Sequence, residues 1–195
     1  MRIQILAAAI AVVCGIGMAP SAAAQVTPMT PDITGKKFVA PEPARDFIKR
    51  EVMIPMRDGV KLYTVIMIPK GAHNAPILFT RTPYNAAGRV DRTPGATRLV
   101  DALAQGDTVF AEDGYIRVFQ DVRGKYGSEG DYVMTRPPRG PLNPGKIDHS
   151  TDAWDSIDWL VKHLPESNGK VGMLGSSYEG FTVVMALLDP HPALK

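Results

Sequence analysis

The segment that most constrains the fold is Gly175-Ser176-Ser177-Tyr178-Glu179-Gly180, which lies between two apolar runs. Residues 171–174 before it are typical of a short buried strand, and residues 181–188 after it are typical of a helix. A strand, a tight turn flanked by glycines and a helix place the residue at the tip of the turn outside the edge of a sheet. The sequence therefore predicts that the Ser177 hydroxyl is exposed at the end of a strand.

The first 24 residues have the composition of a cleaved signal peptide. Arg2 supplies a positive start, residues 5–18 are apolar, and residues 22–24 are the small residues that a signal peptidase prefers. A membrane anchor is the alternative, but the apolar run is shorter than the ~20 residues that span a bilayer. We predict cleavage after Ala24, a periplasmic or secreted protein, and no membrane association once the signal is removed.

The composition of the chain excludes several kinds of functional site and partner. The only cysteine, Cys14, lies inside the predicted signal, so the mature chain would contain no disulfide, thiolate zinc site or cysteine nucleophile. The net charge is +2 and the sequence shows no basic face with interleaved aromatic residues, which argues against a nucleic-acid partner. With 195 residues, 45% of them hydrophobic, the chain is long enough to bury the core of one domain.

Residues 25–46 are rich in proline and lack an apolar period, so they predict an extended N-terminal arm. The domain over residues 47–195 begins with a β-hairpin turning at Arg57-Asp58-Gly59. After the hairpin, the pattern predicts strands at 76–80, 115–120 and 171–174, helices at 97–105, 150–164 and 181–188, and a long loop at 124–145. This order predicts the α/β class, with an α/β-hydrolase fold whose mainly parallel sheet is begun by an antiparallel hairpin.

Ser177 is the candidate nucleophile of this fold. A serine hydroxyl is a weak nucleophile that needs a base, a group that orients the base, and donors for the oxyanion. The backbone N–H of Tyr178 would be one such donor. The Gly-x-Ser-x-x-Gly spacing is one residue longer than the usual esterase turn, and small residues that merely join a strand to a helix are the structural alternative.

Four ordered motifs resemble those of the α-amino-acid ester hydrolases, within the X-Pro dipeptidyl-peptidase-like and cocaine esterase-like serine hydrolases. They are Met56-Arg57-Asp58-Gly59-Val60-Lys61-Leu62, Arg81-Thr82-Pro83-Tyr84, Gln120-Asp121-Val122-Arg123-Gly124 and Gly175-Ser176-Ser177-Tyr178-Glu179-Gly180-Phe181. The resemblance covers about residues 47–195.

The resemblance implies a serine hydrolase that acts through an acyl-enzyme on small-molecule α-amino acid esters or amides, β-lactam antibiotics included. Ser177 would be acylated, and the Tyr178 backbone N–H and the Tyr84 phenol O–H would form the oxyanion hole. For Tyr84 the structural alternative is a loop aromatic packed on the core. No metal or organic cofactor is implied, and homo-oligomerisation is left open.

The base is the missing part. In the family that the chain resembles, the aspartate and histidine follow the serine far downstream, yet only 18 residues follow Ser177 here. A helix between them would carry Asp189 and His191 roughly 15 to 20 Å from the serine hydroxyl, beyond hydrogen-bond reach. We therefore expect the chain to be the N-terminal part of a longer hydrolase domain, inactive alone, with the triad Asp and His and the ammonium-binding carboxylates beyond Lys195.

The other titratable residues are interpreted as structural. His73, His149 and His163 are expected in loops or at helix ends, and Asp152, Asp155 and Asp158 on a solvated helix face. Functions that stay open are an X-Pro dipeptidyl-peptidase, a carboxylesterase or glutaryl acylase of the same family, and a non-catalytic exported binding module. The resemblance implies that the regions that select the substrate follow Lys195, so the given sequence does not separate these functions.

Overall fold

The computed structural model describes residues 44–195. The signal peptide predicted over residues 1–24 and all but the last three residues of the arm predicted over 25–46 lie outside the described residues. The fold described below is that of the predicted hydrolase domain.

Five strands form one mixed sheet. They are β1 (Phe47–Pro55), β2 (Lys61–Pro69), β3 (Ala75–Thr82), β4 (Ile116–Asp121) and β5 (Ser167–Met173), and their spatial order is β1-β2-β4-β3-β5. β1 pairs antiparallel with β2, and β2 with β4, whereas β3 pairs parallel with both β4 and β5. The predicted α/β class, with a parallel sheet begun by an antiparallel hairpin, is confirmed.

The hairpin turn forms where the Asp-Gly pair predicts it. The N–H of Met56 donates to the carbonyl of Val60 at 2.8 Å, and the N–H of Gly59 donates to the carbonyl of Met56 at 2.9 Å. Gly59 has φ +87°, a left-handed conformation that glycine adopts without a Cβ clash. The turn fixes the register in which Pro55 lies opposite Lys61.

The helices cover both faces of the sheet. They are α1 (Ala86–Arg89), α2 (Leu99–Ala102), a 3₁₀ turn (Gln105–Asp107), α3 (Thr108–Glu112), α4 (His149–His163) and α5 (Tyr178–Ala186). Alternate residues of β2 point to opposite sides: Ile66 joins the core that packs against α4, and Val65 joins the core beneath α1 and α2. None of the helices among the described residues is long and apolar enough to cross a bilayer.

The single helix predicted over residues 97–105 is wrong. Only Leu99–Ala102 is helical there, and Leu103 and Ala104 are extended before the 3₁₀ turn begins. Burial explains the interruption, because Leu103 is fully buried in the core under α1 and α2 and Asp107 is held by Arg117 at 2.6 Å. Tertiary packing overrides the local helical period at this point.

Helix α4 is anchored at its N-terminus by a capping box. The side chain of Asp148 accepts the N–H of Thr151 at 2.9 Å, and the hydroxyl of Thr151 accepts the N–H of Asp148 at 2.9 Å. The cap therefore lies two residues before the predicted start at Ser150, and all three residues are buried.

The solvated face predicted for Asp152, Asp155 and Asp158 is wrong for Asp152. Its carboxylate is buried, lies 2.7 Å from Arg123 and 3.6 Å from Arg81, and Arg123 in turn reaches Asp58 at 2.8 Å. The loop after β4 reaches this side of α4 through Arg123, and the Ser128 hydroxyl accepts the N–H of Tyr63 at 2.9 Å, which holds the loop against the hairpin. The start of α4 thus faces a buried ion-pair network instead of water.

The buried ion pairs predict that neutralising two aspartates of α4 lowers the free energy of unfolding by different amounts. Asp152→Asn leaves Arg81 and Arg123 buried with less compensating charge, and should lower the free energy of unfolding by ~3 kcal/mol or more. Asp158→Asn weakens the exposed pair with Lys162 and the 3.4 Å contact with His191, and should cost less than about 1 kcal/mol. Urea denaturation of the two variants measures the difference, and equal losses would contradict the network.

Candidate active site

The turn between β5 and α5 requires its first glycine. A Cβ built on Gly175 would lie 2.4 Å from the backbone carbon of Glu179, a distance that real Cβ atoms do not show. Gly180 also approaches Gly175, where an added Cβ would lie 3.3 Å from the carbonyl oxygen. The two glycines let the chain turn back on itself within six residues, so Ser177 lies at the tip.

Ser177 has a backbone conformation that is rare for a residue with a side chain. Its φ is +53° and its ψ is −125°, and the side chain is exposed. Such strained conformations cost about 1–3 kcal/mol and persist only where the surroundings enforce them. Here the carbonyl of Ser177 accepts the N–H of Phe181 at 3.0 Å, and Thr182 donates to the carbonyl of Arg81 at 3.2 Å, which fixes α5 on β3.

Tyr178 opens α5 directly after Ser177. Its backbone N–H is among the first four of the helix, which have no acceptor inside it and are available to an anion. Its phenol donates to the carbonyl of Met134, and its ring packs against Phe181 with centroids 5.3 Å apart. Burial, with a contribution from Tyr132, raises the pKa of Tyr178, so the phenol is protonated at neutral pH.

Tyr84 comes from the loop that follows β3 and has a side chain that is 51% exposed. Its backbone N–H donates to the hydroxyl of Thr82 at 3.0 Å. The next residue, Asn85, has φ +73°, and the N–H of Ala86 donates to the carboxylate of Asp121 at 2.7 Å. Burial raises the pKa of Asp121, although this hydrogen bond and a second one from the Gly127 N–H oppose the shift. The structure thus fixes the backbone on both sides of an exposed phenol.

An ion pair brings the Tyr84 segment and the serine turn together. Arg89, the last residue of α1, contacts the carboxylate of Glu179, which lies two residues after Ser177. The three predicted site residues, Ser177, Tyr178 and Tyr84, therefore lie on two adjoining segments at the carboxyl ends of β5 and β3.

His149 lies at the start of α4, as the sequence predicts for a histidine at a helix end, but the sequence did not reveal that it is buried. Its ring is buried and packs edge-on against Phe181 and Tyr178, with centroids 5.3 and 6.3 Å apart. Its Nε2 atom is buried without a hydrogen-bond partner among residues 44–195. Burial, reinforced by the positive charge of Arg81, lowers the pKa of His149 to about 4, so the ring is neutral at pH 7.

The other histidines have partners away from the serine. His73 lies 3.0 Å from the carbonyl of Gly71, His163 lies 2.7 Å from that of Trp159, and His191 contacts Asp158 at 3.4 Å. Asp189 pairs with Arg139 at 2.9 Å. In the described part of the chain no histidine hydrogen-bonds to Ser177, and no group of three or more His, Cys, Asp or Glu side chains could hold a metal ion.

Sequence reasoning missed two residues that shape the site. The sequence gives Asp121 no role beyond membership of a motif, yet it lies directly opposite Thr82 in the parallel register of β3 and β4, and its carboxylate anchors the Tyr84 segment. Because the carboxyl ends of neighbouring parallel strands meet at one edge, the predicted strands could have indicated it. The pairing of Arg89 with Glu179 leaves no local signal in the sequence.

The edge of β5 is partly covered. The N–H of Val171 donates to the carbonyl of Ala193 at 2.9 Å, and the N–H of Lys195 donates to the carbonyl of Val171 at 3.0 Å. Residues 193–195 therefore run beside β5 in a parallel bridge.

Comparisons with known proteins agree with this geometry. The family model of the X-Pro dipeptidyl-peptidase (S15 family) matches residues 58–195. Cocaine esterase of Rhodococcus sp. (strain MB1 Bresler) is 32% identical over 148 residues, which cover 76% of this chain and 22% of the esterase. The chain thus spans about a fifth of the length of this curated relative.

Two solved structures are more similar to this chain in sequence than cocaine esterase is. A selenomethionine-labelled α-amino acid ester hydrolase is 74% identical, with a TM-score of 0.78, over 87% of this chain and 27% of that one. An aminopeptidase from the marine sediment archaeon Thaumarchaeota archaeon is 54% identical, with a TM-score of 0.77, over 84% of this chain and 27% of that one.

The burial of His149 predicts a pH dependence of stability. The pKa of the ring is about 4 in the folded chain and 6.5 without the fold, so between these values only the unfolded chain takes up the proton. The group should lower the free energy of unfolding by roughly 2 kcal/mol between pH 7 and pH 5. Arg81, Asp152 and Tyr178 face the ring and are unchanged by substitution there.

His149→Phe should therefore flatten the pH dependence, since the phenylalanine ring fills a similar space and takes up no proton. Urea titrations at the two pH values measure the effect, with His73→Phe, which removes an exposed histidine, as the control. An unchanged slope in His149→Phe would contradict the assignment.

Proposed function

The chain belongs to the X-Pro dipeptidyl-peptidase (S15) family, and from this premise we propose that it supplies the nucleophile and oxyanion hole of a serine hydrolase. The relatives that it matches are named as ester hydrolases and peptidases. The observation that carries the proposal is the strained, exposed Ser177 at the tip of the turn between β5 and α5. A positive φ is unfavourable for a serine, and its occurrence together with exposure at the end of a strand supports a functional role for Ser177.

The proposed reaction is acyl transfer through Ser177. Its oxygen attacks the substrate carbonyl, and the negative charge that develops on the carbonyl oxygen is stabilised by the Tyr178 N–H and the Tyr84 O–H. The bond to the leaving group then breaks, and the leaving alcohol or amine takes the proton that the serine gave to the base. Water then attacks the acyl-enzyme and gives a proton to the base. The Ser177 oxygen leaves with that proton, which releases the acid and restores the serine.

The proposal places the base and its orienting acid outside residues 44–195. Two facts support this. Residues 44–195 place no histidine within hydrogen-bond distance of Ser177, and the matched relatives are about four times as long as the matched region. In this proposal residues 44–195 bind the oxyanion and supply no group that removes the serine proton.

The proposed substrates are α-amino acid esters or amides, β-lactam antibiotics included. The 74% identity to an α-amino acid ester hydrolase supports this choice. A peptidase is the second candidate, because the archaeal aminopeptidase is 54% identical and the family is described by an X-Pro peptidase. Relative rates on phenylglycine methyl ester and on glycyl-prolyl-anilide separate the two.

Export through the signal predicted over residues 1–24 is part of the proposal. It rests on the positive start, the apolar stretch and the small residues before Gln25. The hydrolase would then act on small molecules in the periplasm or outside the cell.

Ser177→Ala should abolish labelling of the complete gene product by a fluorophosphonate, because the attacking oxygen is gone. Ser176→Ala is the matched control, since it removes an exposed hydroxyl from the neighbouring position of the same turn and should leave labelling intact. Mass spectrometry of the labelled peptide locates the adduct. Labelling that survives Ser177→Ala would overturn the assignment.

A further inference from the structure

The two proposed oxyanion donors come from different segments of the chain. Tyr178 is fixed at the first turn of α5, whereas Tyr84 lies in the loop between β3 and α1. The phenol of Tyr84 has no hydrogen-bond partner among the described residues, and its side chain is half exposed. Its position therefore depends on how the backbone of its segment is held.

That backbone is held at three points. Thr82 accepts the N–H of Tyr84 at 3.0 Å, and Asp121 accepts the N–H of Ala86 at 2.7 Å. Both contacts tie the segment to β3 and β4. The third point is Arg89, whose guanidinium contacts Glu179 and is the only charged link from the segment to α5 among residues 44–195.

Glu179 is placed for this link by the serine turn itself. Its N–H donates to the carbonyl of Ser176 at 3.0 Å, and its backbone lies where a Cβ on Gly175 would be. The Glu179 side chain is 8% exposed and that of Arg89 is 35% exposed, so the carboxylate is shielded from water while the guanidinium is partly open to it. Together with Gly175 and Ser176 the two residues line a cavity of about 290 Å³.

We propose that Arg89 and Glu179 form a positioning pair, which sets the separation between the Tyr84 hydroxyl and the Tyr178 N–H. The inference rests on the proposed function. A donor stabilises an oxyanion only when it lies at about 3 Å from the developing charge, and displacements of ~1 Å are costly. Among the described residues, neither side chain of the pair hydrogen-bonds to Ser177, Tyr178 or Tyr84, so the pair acts through the backbone of the Tyr84 segment.

A double-mutant cycle in the complete gene product tests the pair. Arg89→Met should lower kcat for an α-amino acid ester by roughly 10-fold, with KM changed less than about twofold, because transition-state binding is lost. In a Tyr84→Phe background the same substitution should have almost no further effect, since the donor that it positions is already absent. Arg89→Lys should recover most of the activity.

A matched control is available in the Arg50–Glu166 pair. Its side chains are 36% and 18% exposed, and it joins β1 to the residue before β5. Arg50→Met removes the same charge from a similar surface, and should leave kcat within about twofold of the wild type. Thermal unfolding of every variant checks the fold, and Glu179→Gln replaces Arg89→Met if that variant unfolds.

The possible outcomes distinguish an error in the proposed positioning pair from an error in the proposed reaction. Losses from Arg89→Met and Tyr84→Phe that simply multiply would overturn the positioning pair, as would an effect of Arg89→Met no larger than that of Arg50→Met. Fluorophosphonate labelling of Ser177 reports the reaction separately. If Ser177 is labelled and the losses multiply, only the pair is wrong; if Ser177 is not labelled, the proposed function is wrong and the pair with it.

Discussion

The buried guanidinium of Arg81 joins the elements that surround the serine turn. Arg81 lies on β3, donates from Nε to Gln120 of β4 at 2.9 Å and from Nη1 to the carbonyl of His149, the first residue of α4, also at 2.9 Å. Its own carbonyl accepts the hydroxyl of Thr182 on α5. Removing the buried charge would leave its partners on β4 and α4 unpaired, so the start of α4 depends on this side chain, whereas α5 is held by the Arg81 backbone.

The site combines a rigid turn, which carries Ser177 and Tyr178, with a loop that carries Tyr84 and is held by contacts with other elements. Ser177 and Tyr178 are fixed by the contact of Gly175 with Glu179 and by the first turn of α5, so their geometry follows from local backbone constraints. Tyr84 is on a segment whose anchors lie on other elements, at Asp121 and Glu179. In such an oxyanion hole, secondary structure positions the Tyr178 N–H and tertiary contacts position the Tyr84 O–H. Substitutions remote from the serine can therefore act by displacing Tyr84.

The sequence predicted the parts that depend on local pattern. The hairpin at Asp58-Gly59, the strand that precedes the serine and the helix that follows it were all found, because alternating or helical periods and turn residues specify them directly. The burial of Asp152 was not predicted. Three-residue spacing does not reveal that Arg123, from the loop after β4, reaches that side of the helix. The interruption of the helix at Leu103 and the burial of His149 have the same origin in long-range packing.

The most direct measurement is a crystal structure of the complete gene product after reaction with a phosphonate that mimics an α-amino acid ester. The account predicts a bond from the Ser177 oxygen to phosphorus, with the phosphoryl oxygen at about 3 Å from both the Tyr178 nitrogen and the Tyr84 hydroxyl. An adduct on another residue, or a phosphoryl oxygen bound by other donors, would contradict it.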